Sequence, residues 1–361
     1  MTVFNLSNVD LSKQYMFFGE RLNLSRFDVQ KFPIFYKLTE QQLGFFWQPS
    51  EIDLSKDNKD FRLLSDAQKH IFTSNLLYQT TVDSIQSRSL VLALLPHVSI
   101  PELESCIEIW SSFEALHSLA YAHIIRNIYP DPSAEFDKVI INNDILNRAK
   151  SPVKYYDDFI NATYDYKLSK IRLIDLKEKL LLCIASINIL EGVSFFASFA
   201  CSFAFAELGL MQGNAAILSL IARDEQLHLG ITQNILKKWI NGDDDPDMKK
   251  LFERNIYTIG KMFLETIEIE KKWAEYLFKD GSMMGLNTQI LQQYVEYIVG
   301  KRMKNLGIKH DFATKNPLSW TDKYLKSSDN QIAPQEQELT QYIIGGIKND
   351  ITDTSFDEFK F

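Results

Sequence analysis

The chain has 361 residues, 45% of them hydrophobic and 24% charged, with a formal net charge of −8 at pH 7. That length allows one large domain or two ordinary ones and needs no disulfide staple, and the acidic balance disfavours unspecific binding to nucleic acid or to an anionic membrane. Cys106, Cys183 and Cys201, an odd set among apolar residues, fit no disulfide framework or zinc motif and read as reduced core thiols of a cytosolic protein.

Met1 to Glu20 holds no basic region followed by an apolar core, so no signal peptide is expected. The first 60 residues are irregular, with short aromatic pieces such as Phe45-Phe46-Trp47. Beyond them the hydrophobic period is helical. Ser65-Asp66-Ala67-Gln68 reads as a capping box opening a helix that runs to about Leu95. Pro101 opens a second helix, which stops before Pro130. A shorter helix is predicted over Pro152 to Ala162, and a long one from about Asp175 to Glu207. Gly209 to Gly213 is a turn; Asn214 is the predicted cap of the next helix, which ends near Asn241-Gly242. After the loop Asp243 to Pro246, two further helices cover about Asp247–Phe278 and Asn287–Leu306, separated by a turn at Asp280-Gly281-Ser282. From Ser327 the composition becomes polar and acidic, which divides the chain into a helical domain, 1–326, and a flexible tail, 327–361. The uncharged runs Gly192–Ala206 and Leu208–Ala222 are fifteen residues each, short for a membrane span; the first reads as a helix inside a large bundle.

Two copies of Glu-x-x-His stand out, Glu114–His117 and Glu225–His228. Residues three apart on a helix share a face, so one carboxylate oxygen and one imidazole nitrogen can bind the same ion. A lone copy is weak and is more often a solvated helix face. Here both pairs lie on apolar stripes: Ile107, Trp110, Tyr121 and Ile124 around the first, Leu218, Ile221 and Ile235 around the second. A buried ionised carboxylate without a partner costs more than a domain can spare, so two such pairs in one core call for cations. Glu191 shares a stripe with Ile184, Ile187 and Phe195 and supplies a third carboxylate; Asp83 supplies a fourth, from a less apolar stripe where a surface Asp is the default reading. Four carboxylates and two histidines from four helices form the ligand pattern of ferritin-like di-iron proteins. They suit iron or manganese better than thiolate-seeking metals, and two divalent ions would balance four carboxylates. Tyr121 lies about 5–6 Å along the helix from His117 on the same face, where its phenol would meet the metal pair. Phe195, Phe199 and Ile221 fall on faces that could wall that phenol off from water, or could be core and nothing more.

Longer segments carry a resemblance. Met16-Phe17-Phe18-Gly19, Leu76-Leu77-Tyr78-Gln79-Thr80, Asp83-Ser84-Ile85-Gln86, Ser198 to Glu207, Ile221-Ala222-Arg223-Asp224-Glu225 and Tyr294-Val295-Glu296-Tyr297 resemble the small, radical-generating subunit of class I ribonucleotide reductase in its tyrosyl-radical, di-iron form, and the likeness runs nearly end to end. It implies an all-α, ferritin-like fold and a cytoplasmic homodimer. It implies two iron ions per chain, oxo-bridged when oxidised, with manganese the alternative. One ion would be held by Asp83, Glu114 and His117, the other by Glu191, Glu225 and His228, with Glu114 and Glu225 bridging. Tyr121 would carry the radical, and Trp47 and Asp224 would pass an electron from an external donor while oxygen is consumed. Asp224 could instead be paired with Arg223. Tyr342 and Glu336 would relay the radical to the large subunit, in whose groove the tail through Phe361 would dock and which would reduce ribonucleoside diphosphates. Ser118-Leu119-Ala120 is more apolar than is usual for the family and would bear on the radical's surroundings.

Two other classes share parts of this pattern. An iron-storage or ferroxidase bundle needs neither Tyr121 nor the tail. A di-iron monooxygenase or desaturase needs a substrate channel at the metals. No Gly-rich phosphate loop is present.

Overall fold

The computed structural model describes residues 4–325, and within them the regular secondary structure is helical, with isolated bridges such as Phe17 with Val98 and Met283 with Leu286. Tyr342, Glu336 and the rest of the tail lie outside the described residues.

The irregular N-terminal stretch contains two helices that the sequence did not announce, α1 (Pro33–Gly44) and α2 (Ser55–Leu63). Helix α3 (Asp66–Ser89) starts at the expected capping box: Ser65 Oγ accepts from the Gln68 amide at 3.3 Å, and Gln68 Oε1 accepts from the Ser65 amide at 3.0 Å. It runs on through a π-helical turn, Leu90–Leu94, and a 3-10 turn, Leu95–His97. Helix α4 (Pro101–Ile128) keeps its predicted bounds, and a short α5 (Pro132–Ile141) follows.

Helix α6 corrects the expected Pro152–Ala162 segment, since it spans Asn143–Lys167 with Pro152 inside it. Asn142 caps it, accepting from the Asp144 and Ile145 amides at 3.0 and 3.1 Å. An internal proline costs roughly 3 kcal/mol. Burial of Ile145, Pro152, Tyr156 and Phe159 on one face opposes that cost.

The long helix predicted from Asp175 is two helices, α7 (Leu173–Ile189) and α8 (Phe195–Glu207), joined by a second π-helical turn, Leu190–Ser194. This segment is apolar and long enough to cross a membrane, yet 94% of its most apolar window is buried within the bundle, which makes it a core element. Helix α9 (Gln212–Asn241) begins before Asn214, which is therefore not its cap. The cap comes from α2: the Asp57 carboxylate accepts from the Gly213 and Asn214 amides at 3.0 and 2.5 Å, and Asp60 accepts from the Met211 amide at 3.0 Å. A Cβ on Gly213 would lie 2.7 Å from the Asp53 carbonyl oxygen, so only glycine allows α2 to approach this closely. Helices α10 (Pro246–Leu277) and α11 (Thr288–Asn305) follow, and a short α12 (Asp322–Leu325) closes the described chain.

Helices α3, α4, α7/α8 and α9 form the central layer: α3 packs on α4 and α8, and α9 packs on α4, α7 and α8. The remaining helices surround them. Cys106, Cys183 and Cys201 are free and buried, as expected.

Candidate metal centre

All six predicted ligands converge. Asp83 on α3, Glu114 and His117 on α4, Glu191 in the second π-turn, and Glu225 and His228 on α9 are each 0% exposed. They form two overlapping groups whose ligand atoms lie within 4.8 Å of one another: Asp83, Glu114, His117 and Glu225, and Glu114, Glu191, Glu225 and His228. Glu114 and Glu225 belong to both, which is the arrangement two adjacent ions with bridging carboxylates require. His117 Nδ1 lies 3.1 Å from Glu225 Oε1, 3.6 Å from Glu114 Oε2 and 3.7 Å from Asp83 Oδ2. His228 Nδ1 lies 2.9 Å from Glu225 Oε2 and 3.1 Å from Glu114 Oε1.

These groups fit a metal pair on an observation independent of their spacing. Both oxygens of Asp83, Glu114 Oε2, Glu191 Oε2, Glu225 Oε1, His117 Nδ1 and His228 Nε2 are buried without a well-formed hydrogen bond inside the protein. Buried polar atoms are ordinarily satisfied, and so dense a set of orphans at one spot is what cations would complete. Protons can balance the same charge in the metal-free protein. Burial, reinforced by Glu114 and Glu225, pushes the carboxyls of Asp83 and Glu191 well above the usual range. Burial disfavours the imidazolium forms, but Asp224, Glu114 and Glu225 outweigh it at His117 and raise it well above normal. Glu225 and Glu114 do the same at His228, to about 9. Glu225 moves the other way: burial would raise it, and the neighbouring His228 and His117 hold it below the normal carboxylate range.

Supporting side chains fix the ligands from both ends. On one side the Trp47 indole donates to Asp224 Oδ2 at 2.8 Å, and the same oxygen lies 3.3 Å from His117 Nε2. The carboxylate thereby orients the imidazole so that Nδ1 faces the cluster. Asp224 Oδ1 takes Nε and a terminal nitrogen of Arg223 at 3.1 and 3.0 Å, so the alternative Arg223 pairing exists alongside the Trp47 contact. The Trp47 and His117 rings stack with centroids 6.5 Å apart.

On the other side the Trp110 indole donates to Glu114 Oε1 at 2.7 Å and its ring stacks on His228 at 5.3 Å. The Gln86 amide donates to Glu191 Oε1, and Tyr156 donates to Gln86 Oε1 at 2.6 Å. Gln86 and Tyr156 had not been singled out, and Trp110 only as an apolar stripe residue. Gln86, three residues after Asp83, and Trp110, four before Glu114, sit where a supporting group must be; Tyr156 carries no such signal.

Tyr121 is 0% exposed and its hydroxyl has no well-formed hydrogen bond. Burial, followed by the charges of Asp83 and Glu225, drives its pKa well above the ordinary phenol value. Phe195, Phe199 and Ile221 are also 0% exposed. Phe195 and Phe199 stack on each other at 6.0 Å, and Phe199 meets Phe196 and Phe203; none of the ring contacts among the described residues joins them to Tyr121.

A sequence model of the family described as "Ribonucleotide reductase, small chain" matches residues 21–317. The "Ribonucleoside-diphosphate reductase subunit beta" of Haemophilus influenzae is 48% identical over 99% of both chains. The "Ribonucleoside-diphosphate reductase 1 subunit beta" of Escherichia coli O157:H7 is 46% identical over the same share. Among solved structures, the ribonucleotide reductase R2 subunit from Clostridium botulinum superposes with a TM-score of 0.78 at 25% identity, covering 90% of this chain and 98% of that one. The dimanganese(II) NrdF of Streptococcus sanguinis shares the fold, with a TM-score of 0.63 at 21% identity over 81% of this chain and 94% of its own.

Proposed function

The chain belongs to the ribonucleotide reductase small-chain family, and from that premise we propose how its own residues carry the chemistry. It is the radical-generating small subunit of ribonucleoside-diphosphate reductase, an oxidoreductase subunit that works with a large subunit. Asp83, Glu114 and His117 would hold one metal ion and Glu191, Glu225 and His228 the other, with Glu114 and Glu225 shared. The observation that carries this reading is the pair of overlapping ligand groups at 0% exposure. When bound, two iron ions (or two manganese ions, which accept the same ligands) would supply the oxidising equivalent by reducing oxygen.

The protein's part is positional and electrostatic. Helix α4 holds Tyr121 one turn beyond His117, in a dry core that keeps its phenol protonated until an electron is removed. Loss of that electron makes the phenol strongly acidic, and the Asp83 carboxylate, with which it is paired, is suited to take the proton. The Trp47–Asp224–His117 contacts support a path for the extra electron from an external donor. Phe195, Phe199 and Ile221 add to the apolar interior that excludes water and reductants. The radical equivalent would leave through Glu336 and Tyr342, in the segment 327–361, which would dock in a groove of the large subunit. We assign the protein to the cytoplasm as a homodimer. Buried free thiols support the first assignment.

The test is to load the metal-free protein with Fe(II), admit air and record absorption and electron paramagnetic resonance. A tyrosyl signal that disappears in Tyr121→Phe is expected. No signal after confirmed loading of two ions per chain would overturn the assignment of Tyr121.

A further inference from the structure

Glu191 differs from the other ligands in its backbone. The five others sit in regular α-helix, whereas Glu191 is the second residue of the π-turn Leu190–Ser194, in which the Phe195 amide bonds back five residues to the Leu190 carbonyl. A π-turn inserts one residue into the helical ladder and disturbs the partners of nearby carbonyls, so it persists only where something else holds it. Two guanidiniums do so here, from two different helices. Arg148 on α6 donates to the Ser194 carbonyl at 2.9 Å and to Ser198 Oγ at 2.9 Å. Arg302 on α11 donates through Nε to the Gly192 carbonyl at 3.0 Å. Both bonded carbonyls follow the ligand, one residue and three residues after it.

The two arginines are not equivalent. Arg148 is neutralised by Glu270, with contacts of 3.0 and 2.7 Å, and serves the core generally. Arg302 makes no ion pair with a carboxylate among the described residues. Its other neighbours are the Phe196 ring, 5.1 Å from the guanidinium carbon, and the phenols of Tyr294 and Tyr297. Arg302 is half-buried, and the partial loss of water around it lowers its pKa to about 10. Arg302 also lines a cavity of about 370 Å³ together with Phe196, Tyr294, Tyr297 and Lys301. The side chain can therefore be replaced without forcing atoms into one another.

We propose that Arg302 is a positioning residue for the metal centre: by holding the Gly192 carbonyl it keeps the π-turn in the register that aims Glu191 at Glu225 and His228. The proposal deepens the two-metal reading above and rests on it. If the turn relaxed to regular α-helix, every residue after it would rotate by about 100° relative to α7, and the Glu191 carboxylate would lose its place between Gln86 and the bridging Glu225.

The test uses the full-length protein, Mn(II) alone as the probe, and the variants Arg302→Met and Arg302→Lys. Calorimetric titration counts ions and affinities, and hydrogen exchange reads the amides of residues 190–196. Wild type is expected to bind two ions. In Arg302→Met one ion should bind about tenfold more weakly or worse, with the other unchanged. The amides of the π-turn should exchange at least about tenfold faster, those of α4 and α9 at the wild-type rate. Arg302→Lys, which keeps a cationic donor, should recover most of the lost affinity. Wild-type affinity for both ions in Arg302→Met would overturn the proposal, as would equal weakening of both ions with a general fall in protection. If wild type itself bound fewer than two ions, the two-metal reading would fall, and the exchange data on metal-free protein would show separately whether Arg302 holds the turn.

Discussion

Trp47 and Asp224, 177 residues apart in sequence, are joined by an indole hydrogen bond of 2.8 Å, and the oxygen that accepts it also faces His117 Nε2 at 3.3 Å. One carboxylate thus links the aromatic ring to a metal ligand. Removing it should act on the metal as well as on the electron. Asp224→Ala is expected to weaken binding of the ion at Asp83, Glu114 and His117 by about 10–100-fold. Trp47→Phe should leave that affinity intact and lower the yield of radical per chain. Metal titration and spin counting on the two variants check this. Equal metal affinity in wild type and Asp224→Ala would remove Asp224 from the centre.

Tyr121 buries a hydroxyl that meets no well-formed hydrogen bond. Its polar partner is the Asp83 carboxyl, in a loose contact, and a hydrogen bond contributes only about 0.5–1.5 kcal/mol net, so its removal should change the stability of the metal-free protein little. Tyr121→Phe is expected to unfold within about 1 kcal/mol of wild type, while losing all radical signal. Urea unfolding of the metal-free variant measures the first and paramagnetic resonance the second. Larger destabilisation would mean that the contact of the phenol with Asp83 is structural.

The repeated Glu-x-x-His pairs were legible because they use the helix's own period, and Glu191 because it opens a long uncharged run. Asp83 was hard to place, since periodicity looks for apolar stripes. On α3 the stripe Gln79, Asp83 and Gln86 is polar and yet 0% exposed, so the polarity was itself the mark of a site. The π-turn under Glu191 left no trace, because one inserted residue changes the phase of a helix without changing its composition. The cap of α9 was misread for a related reason. Asn214 has the right chemistry, but Asp57, 157 residues away, holds its amide. A local pattern reports only what its neighbours in sequence can supply, and Asp57, like Trp47, acts across the fold.

His97 packs against the rings of Phe18 and Phe159, with centroids at 5.0 and 5.1 Å, and its Nε2 lies 2.9 Å from Thr163 Oγ1. Burial, followed by the charges of Lys167 and Arg21, lowers its pKa from 6.5 to about 4. The unfolded chain therefore binds this proton more readily than the folded one. The stabilisation is present in full above pH 6.5 and is lost as the pH falls toward 4. One proton sets a ceiling of about 1.4 kcal/mol per pH unit on the slope, and partial solvent access reduces it. His97→Gln is expected to unfold with a shallower loss of stability between pH 6.5 and pH 4 than wild type. Parallel curves for the two proteins across that window would exclude His97 as the source.

Tyr342 and the residues after Gly345 can be separated by function. Tyr342→Phe is expected to form the Tyr121 radical at the wild-type level and to lose turnover with the large subunit. Truncation after Gly345 should instead weaken subunit association if, as proposed, the acidic segment with interleaved Ile and Phe docks on the large subunit. Ordinary nucleotide reduction by Tyr342→Phe would refute the relay, and an undiminished association constant for the truncated protein would refute the docking.

Arg148 and Glu270 make a deeply buried ion pair outside the metal centre, with side chains 2% and 1% exposed. The guanidinium carbon lies 3.6 Å from the Tyr78 ring centroid and 4.7 Å from that of Trp273. Two opposing effects decide what the pair contributes. Desolvating both charges is costly, and their attraction returns that cost only while both are present. Glu270→Gln leaves the guanidinium buried without a counter-charge and should destabilise by about 3–5 kcal/mol. Arg148→Met should cost a similar amount, since it strands the carboxylate and frees the Ser194 carbonyl as well. The double variant Arg148→Met, Glu270→Met removes both charges and keeps volume, so it should be more stable than either single variant. Urea unfolding of the four proteins completes the cycle. Additive losses in the double variant would show that the charges do not compensate each other, and that Arg148 is retained for the Ser194 carbonyl and the aromatic rings alone.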